Sequence, residues 1–268
     1  MSTLTSSKKT NLFIVLSGIF LANAILAEMI GVKIFSLEQT LGFNPAQIPL
    51  LEGFVLDFNL TAGVVIWPVV FITTDIINEY FGKEGVKKVS YLTVALISYV
   101  FIVIWIVTYL VPADFWLGIN STDNNGEAFD VNFAFNKIFR QGAGIIVGSL
   151  VAFLIGQLLD VYVFHKLRKI TGSKMIWARA TGSTLVSQLV DSFVVLFIAF
   201  YILSPSNAQW SIQQVVSVGI INYIYKFAIA ILITPLLYLA HFIIDKYLGK
   251  ELAHHTTEEA ANKSEGFF

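Results

Sequence analysis

The sequence predicts an all-α polytopic membrane protein of six transmembrane helices with both termini cytoplasmic, and three observations carry that prediction. Hydrophobic residues make up 56% of the chain against 13% charged, and the mean hydropathy is +0.74, a balance that belongs to integral membrane proteins. Six apolar segments reach the ~20 residues that a bilayer requires; they fall at about 12–34, 60–81, 88–111, 141–165, 178–202 and 213–243. The basic residues then sort by side. With the N-terminus inside, one face collects Lys8, Lys9, Lys83, Lys87, Lys88, the run from Lys166 to Arg179, and Lys246, Lys250 and Lys263, while the other keeps only Lys33, Lys137 and Arg140. The richer face is the cytoplasmic one.

Taken in order, the first segment carries Lys8 and Lys9 before an apolar run and Ala22-Asn23-Ala24 within it, the outline of a signal peptide. The run continues past Ala24, however, and a signal-peptide core is only ~7–15 residues, so a retained span is expected. Asn23 and Glu28 interrupt it and Lys33 closes it. The second segment contains the stretch on which the rest of the chain is organised, Trp67 to Gly82. Asp75, Asn78 and Glu79 are three and four apart there, hence on one helical face. An acid near the bilayer centre costs at least ~3 kcal/mol, so this face is expected to line a cavity rather than meet lipid. Pro68 and Pro235 are read as kinks in the second and sixth spans.

Between the third and fourth spans, Pro112 to Asn136 includes Ser121-Thr-Asp-Asn-Asn-Gly126, which reads as a turn in an exposed cap. The fourth span presents Gly144, Gly148, Ala152 and Gly156 at spacings of four, a stripe for close helix approach that fits either a neighbour within the chain or a second copy in a homodimer. Gln157 and Asp160 follow it. Thr184, Ser187, Gln188 and Asp191 form a polar stripe on the fifth span. On the sixth, Asn222 and Lys226 share a face, with Tyr223 and Tyr225 beside them. Lys226 is the basic residue deepest in any span, so an Asp191–Lys226 ion pair is expected, with Asp75 as the competing acid. Residues 1–250 thus form the transmembrane domain. Residues 251–268 are polar without a helical apolar period, a tail expected to be disordered.

The chemistry is that of a binding cavity rather than of catalysis. Cysteine is absent, so no disulfide or thiolate metal site exists. No zinc-protease helix, nucleophile elbow or phosphate-binding loop is present, and His165, His241, His254 and His255 lie at cytoplasmic ends or in the tail. No enzyme, cofactor, metal or nucleic-acid partner is therefore read; the partners are the lipid bilayer and a small solute. Asn23, Asn78, Gln157, Gln188 and Asn222 supply paired donors and acceptors. Glu28, Asp75, Glu79, Asp160 and Asp191 accept N–H groups, and Trp67, Tyr80 and Tyr223 offer ring faces. A flat, nitrogen-rich heterocycle suits that set, because a carboxylate accepts two N–H bonds along a guanine-like edge and stacking on an aromatic ring is worth ~1–3 kcal/mol. A cation or an amino acid suits the same side chains, so the residues alone leave the solute open.

Thr74-Asp-Ile-Ile-Asn-Glu-Tyr-Phe-Gly82 resembles the signature of the queuosine precursor transporter family, also called the vitamin uptake transporter family. Further motifs match in order: Asn23 with Ala27 and Lys33, Gly156-Gln-Leu-Leu-Asp-Val-Tyr-Val-Phe164, Ser183-Thr-Leu with Asp191 and Phe197-Ile-Ala-Phe200, and Tyr223 with Lys226 before Pro235. Glu28 and the long third loop depart from the pattern. The resemblance implies import of 7-cyano-7-deazaguanine or 7-aminomethyl-7-deazaguanine through a bacterial inner membrane. It also implies a six-helix fold similar to the substrate-binding subunits of energy-coupling-factor transporters. A binding subunit for another vitamin-like heterocycle, driven by an ATPase partner docked on a small-residue face at Asn23, Ala27 and Gly31, is the alternative.

Overall fold

The chain is described by a computed structural model covering residues 2–265 apart from 32, 52–53, 141–142, 172–174, 205 and 208. Helix α1, Ser2–Ile30, leads into a segment of short elements: β1 Ile34–Ser36, α2 Leu37–Thr40, β2 Ile48–Leu51, β3 Phe54–Leu56 and β4 Asn59–Thr61. Then follow α3 Trp67–Val107, the short α4 Asp114–Ile119 and α5 Val131–Phe139, and the long α6 Ala143–Thr171. Helices α7 Ile176–Leu196, α8 Ile212–Leu232, α9 Thr234–Leu248 and α10 Lys250–Glu265 complete the order. Among the described residues, five helices are long and apolar enough to cross a membrane: Ser7–Ile30, Trp67–Val107, Ile145–Thr171, Ile176–Ile202 and Ile212–Leu232. The protein is a multi-pass, all-α membrane protein.

Helix α3 joins what the sequence divides into two spans. It runs for 41 residues but is broken at Gly82, whose φ of 66° and ψ of −170° belong to a region that only glycine enters without strain. The break folds the helix back on itself. In a straight helix Ile77 and Gly85 would lie about 12 Å apart along the axis, yet a Cβ on Gly85 would stand 3.4 Å from Ile77 Cγ2.

Helix α6 carries the small-residue stripe, and its partner lies within the chain. A Cβ on Gly148 would stand 3.1 Å from Val195 O and 3.2 Å from Ala199 Cβ, and one on Gly156 would stand 3.6 Å from Asp191 Cβ. Glycine lets α6 press against α7 and the π-turn Phe197–Ile202 that follows it.

Four sequence expectations are revised. Pro68 sits in the first turn of α3, where its missing N–H has no helical partner to lose, so it starts the helix and kinks nothing. Pro235 starts α9 after the break at Ile233, splitting the expected sixth span into α8 and α9. The connection between the first two expected spans, for which no strand was expected, carries two antiparallel ladders, with Phe35 opposite Leu60 in one and Ile48 opposite Leu56 in the other. The tail expected to be disordered is helix α10 through Glu265. Its buried positions, Ala253, Thr256 and Ala260, recur every three to four residues. They are too small to register as a hydropathy period, yet they let α10 pack flat against α3 and α9.

The core runs along one side of α3, where Val70, Ile76, Ile77 and Tyr80 meet Leu16 and Phe20 of α1 and Phe153, Val161 and Phe164 of α6. The outward faces stay apolar, for instance Tyr99, Ile102 and Trp105 on α3 and Ile224, Phe227 and Ile231 on α8.

Candidate functional site

Polar side chains of α3, α6 and α7 converge in a seam inside this apolar bundle. Helix α3 contributes Thr74, Asp75, Asn78 and Glu79, α6 contributes Gln157 and Asp160, and α7 contributes Ser183, Thr184, Ser187 and Gln188, all of them buried. The four-residue spacings put each set on one helical face. Asn78 Nδ2 donates to Asp160 Oδ2 at 3.3 Å, Ser187 Oγ donates to Asp160 Oδ1 at 3.4 Å, and Thr74 Oγ1 donates to Gln157 Oε1 at 3.5 Å. Two acceptors are left over: Asp75 Oδ1 and Asn78 Oδ1 are buried without a hydrogen-bond partner. Buried polar atoms are nearly always satisfied, so two orphaned acceptors one helical turn apart mark a place where N–H donors belong. The seam encloses two cavities of ≈ 10 Å³, one beside Asp75, Thr184 and Thr234, the other beside Gln157, Asp160 and Gln188. Each is about the volume that one water occupies.

One helical turn beyond Asp75 the setting changes. Glu79 accepts two hydrogen bonds from Arg179, Nε to Oε2 at 3.1 Å and Nη2 to Oε1 at 2.8 Å. Arg168 Nη2 stands 3.5 Å from the same Oε1, and Arg168 Nη1 donates to the Glu79 backbone carbonyl at 3.3 Å. Arg179 is 1% exposed, the largest side chain among those almost fully buried. This trio lines a cavity of ≈ 950 Å³ whose other walls include Tyr80, His165, His241 and Asp245, with Thr257 and Glu258 of α10 closing one side. Tyr80 Oη donates to Asp245 Oδ1 at 2.6 Å and lies 3.1 Å from His241 Nδ1, while Arg168 Nη2 donates to Thr257 O at 2.7 Å.

Sequence reasoning counted Arg179 with the cytoplasmic charges and so missed the main partner of Glu79. A signal was available: Arg179, Ser183 and Ser187 are four apart, so the arginine begins the polar stripe of α7 instead of ending the preceding loop.

The remaining expected residues divide. Asp191 and Lys226 form the ion pair anticipated between α7 and α8, and Lys226 therefore serves Asp191 rather than Asp75. Glu28 accepts from Ser149 Oγ at 2.9 Å, joining α1 to α6. Four others do not reach the seam. Asn23 donates to Ile19 O of its own helix, and Trp67 stacks on Phe71 and leans on Phe153. Tyr223 meets Phe227 edge-on, and Asn222 lies half-buried on the same helix. No cluster of three or more potential metal ligands occurs among the described residues.

The sequence model of a family described as putative vitamin uptake transporter matches residues 61–240. Among curated proteins, the chain is 32% identical over 190 residues to a probable queuosine precursor transporter of Bacillus subtilis (strain 168), covering 70% of this chain and 75% of that protein. It is 28% identical over 177 residues to a probable queuosine precursor transporter of Haemophilus influenzae (strain ATCC 51907 / DSM 11121 / KW20 / Rd), 66% of each chain. A queuosine precursor transporter of Escherichia coli (strain K12) is 27% identical over 177 residues, 66% of this chain and 70% of that protein. No solved structure matches the chain. The family match takes in every seam residue and the Glu79–Arg179 pair, and leaves α1 and α10 outside.

Proposed function

The chain belongs to the putative vitamin uptake transporter family, and from that premise we propose that it imports queuosine precursors across a bacterial inner membrane. The solutes are 7-cyano-7-deazaguanine, 7-aminomethyl-7-deazaguanine, or both. The observation that carries this reading is the buried seam with its orphaned acceptors at Asp75 and Asn78. It leads through apolar helices to a cavity of small-molecule size. A 7-deazaguanine presents N–H donors along one edge, a carbonyl beside them and a flat ring. Asp75, Asn78 and Glu79 take the donors, and Gln157 or Gln188 meets the carbonyl; Asp160 orients Asn78.

Counting the two arms of α3 as separate crossings gives six, with both termini on the cytoplasmic side, the apolar outer faces in lipid, and the ≈ 950 Å³ cavity opening inward. Alternating access moves the seam between the two faces. The chain works without an ATPase subunit. On the small-residue face of α1 that would dock one, Ala27 is already covered by the chain's own fold, since a Cβ on Gly63 would lie 2.7 Å from Ala27 O. The α6 stripe is likewise filled by α7, which favours a single chain over a homodimer as the transport unit.

Purified protein in sealed proteoliposomes tests the proposal. Labelled 7-cyano-7-deazaguanine should accumulate above empty vesicles and be competed by the aminomethyl compound, while an unrelated vitamin should not compete. Absence of uptake by the chain alone, or equal uptake of unrelated solutes, would overturn it.

A further inference from the structure

The seam and the cavity meet at Glu79, and the way Arg179 holds that carboxylate suggests what else it can hold. Nε and Nη2 of Arg179 reach Oε2 and Oε1 at 3.1 and 2.8 Å, a fork of two parallel N–H donors meeting a carboxylate side-on. The 2-amino-6-oxo edge of a guanine-like ring carries the same pattern: the ring N1–H and one amino N–H point the same way, side by side. A carboxylate already oriented for the guanidinium therefore accepts the heterocycle's edge without reorienting.

We propose that Glu79 reads the 2-amino-6-oxo edge of the substrate, and that Arg179 is an internal stand-in which the substrate displaces from it. The inference deepens the transport reading above and rests on it. The exchange is feasible at this place for three reasons. Both residues line the ≈ 950 Å³ cavity, so a ligand in the cavity reaches them directly. Arg168, 3.5 Å from Oε1 and bonded to the Glu79 carbonyl, keeps the carboxylate compensated when Arg179 leaves; an unpaired buried charge would otherwise oppose the step. Asp245 and Glu258 stand on the same cavity wall and can accept the released guanidinium. Two charge-assisted hydrogen bonds from the guanidinium are exchanged for two from a neutral ring edge, so the exchange depends on the new partner that the released guanidinium finds at Asp245 or Glu258. The direction of onward travel also follows. Asp75, with its orphaned Oδ1, is one helical turn deeper on the same face of α3, about 6 Å away, so a ring released by Glu79 meets the next acceptor within a short step.

Calorimetric binding to the full chain in detergent, with 7-cyano-7-deazaguanine and its analogue lacking the 2-amino group, tests the assignment. The unsubstituted protein should prefer the 2-amino compound by about tenfold or more, because the analogue leaves half of a charged acceptor unfilled. Glu79→Gln should abolish that preference, and Glu79→Asp, which keeps the carboxylate, should retain most of it. Arg179→Lys keeps the positive charge but cannot fill the fork. It should bind the 2-amino compound more tightly, by about threefold to tenfold. The inference is overturned if Glu79→Gln folds and keeps the preference, if Arg179→Lys weakens both ligands alike, or if the unsubstituted protein binds both ligands equally. Binding of neither ligand would instead overturn the transport reading itself.

Discussion

Asp75 and Glu79 occupy the same face of one helix, a single turn apart, yet the protein treats them in opposite ways. The carboxylates deep in the seam have no ion-pair partner among the described residues; Asn78 and Ser187 donate to Asp160 and Asp75 keeps an orphaned oxygen. Voids there are ≈ 10 Å³. Glu79 is gripped by two arginines beside a cavity of ≈ 950 Å³. The difference follows depth, since a cation costs more to desolvate the farther it lies from water. Beside the large cavity arginines compensate Glu79, and around Asp160 amide and hydroxyl groups donate instead. A passage built this way suits a solute whose recognised edge presents hydrogen-bond donors.

The largest effect should come from breaking the mouth. Arg179→Met leaves Glu79 with Arg168 alone, and stripping one partner from a buried pair typically costs about 3–5 kcal/mol. Thermal unfolding in detergent should show a large fall in midpoint together with loss of monodisperse protein. The deeper acid should respond in the contrary sense. An unchanged melting curve for Arg179→Met would mean that the two carboxylates are not held differently at all.

Gly82 couples the two regions, because the turn it makes begins three residues after Glu79. Alanine at a φ of 66° and ψ of −170° is strained by about 1–3 kcal/mol. Gly82→Ala should therefore lower the unfolding midpoint by less than Arg179→Met and reduce uptake more than binding, since a bend that sets the angle between the arms of α3 also sets how the mouth meets the seam. Equal losses in binding and uptake would show that the bend serves folding alone.

Asp75→Asn sharpens the comparison from the other end. Replacing a buried acid with an isosteric amide where no cation pairs with it should leave stability within about 1 kcal/mol of the original, or raise it. Uptake should nevertheless fall about tenfold or more, because the amide offers one acceptor where the carboxylate offers two. Should the midpoint instead drop as far as for Arg179→Met, Asp75 would have to be a structural acid, and the orphaned oxygen would have no functional meaning.

How much of this was legible in the sequence follows the same physical divide. Spacing found what depends on helical faces: Asp75, Asn78 and Glu79 together, Gln157 with Asp160, the α7 stripe, and the Asp191–Lys226 pair. Residue type alone misled where azimuth decides. Asn23, Trp67 and Tyr223 have suitable chemistry, but Asn23 bonds its own helix and the two rings meet other aromatic side chains. Arg179 was hidden by the rule that sorts basic residues by side of the membrane, which cannot tell a loop charge from one buried at the start of a helix. Helix α10 was hidden by its small buried residues, Ala253, Thr256 and Ala260, because hydropathy weighs size and flat packing does not need it. The break at Gly82 lay between two expected spans, but a φ of 66° could not be read from one glycine among 18.

A third carboxylate, outside the helix bundle in the segment of short strands, serves as the control for the other two. Glu38 accepts from the backbone N–H of Phe58 at 2.9 Å and of Ala46 at 3.2 Å, and from Ser36 Oγ at 3.1 Å, so one side chain ties together both ends of that segment. The Phe58 N–H, aided by those of Ala46 and the residue itself, holds its pKa below the usual 4.5, since these donors favour the charged form. A carboxylate depressed in this way stabilises the fold fully above its ordinary pKa and loses that contribution as pH falls through the lower folded value. Acidification from neutrality to below 4.5 should therefore loosen residues 36–61 while the helices stay intact. Hydrogen exchange should report it as lost protection of the Phe58 and Ala46 amides, mimicked at neutral pH by Glu38→Gln. Equal protection of Phe58 at both pH values would show that the strand ladders hold the segment without Glu38. Glu79 differs in kind: its partners are cations rather than backbone amides, so Glu38→Gln should leave binding to the cavity unchanged while loosening only the segment of short strands.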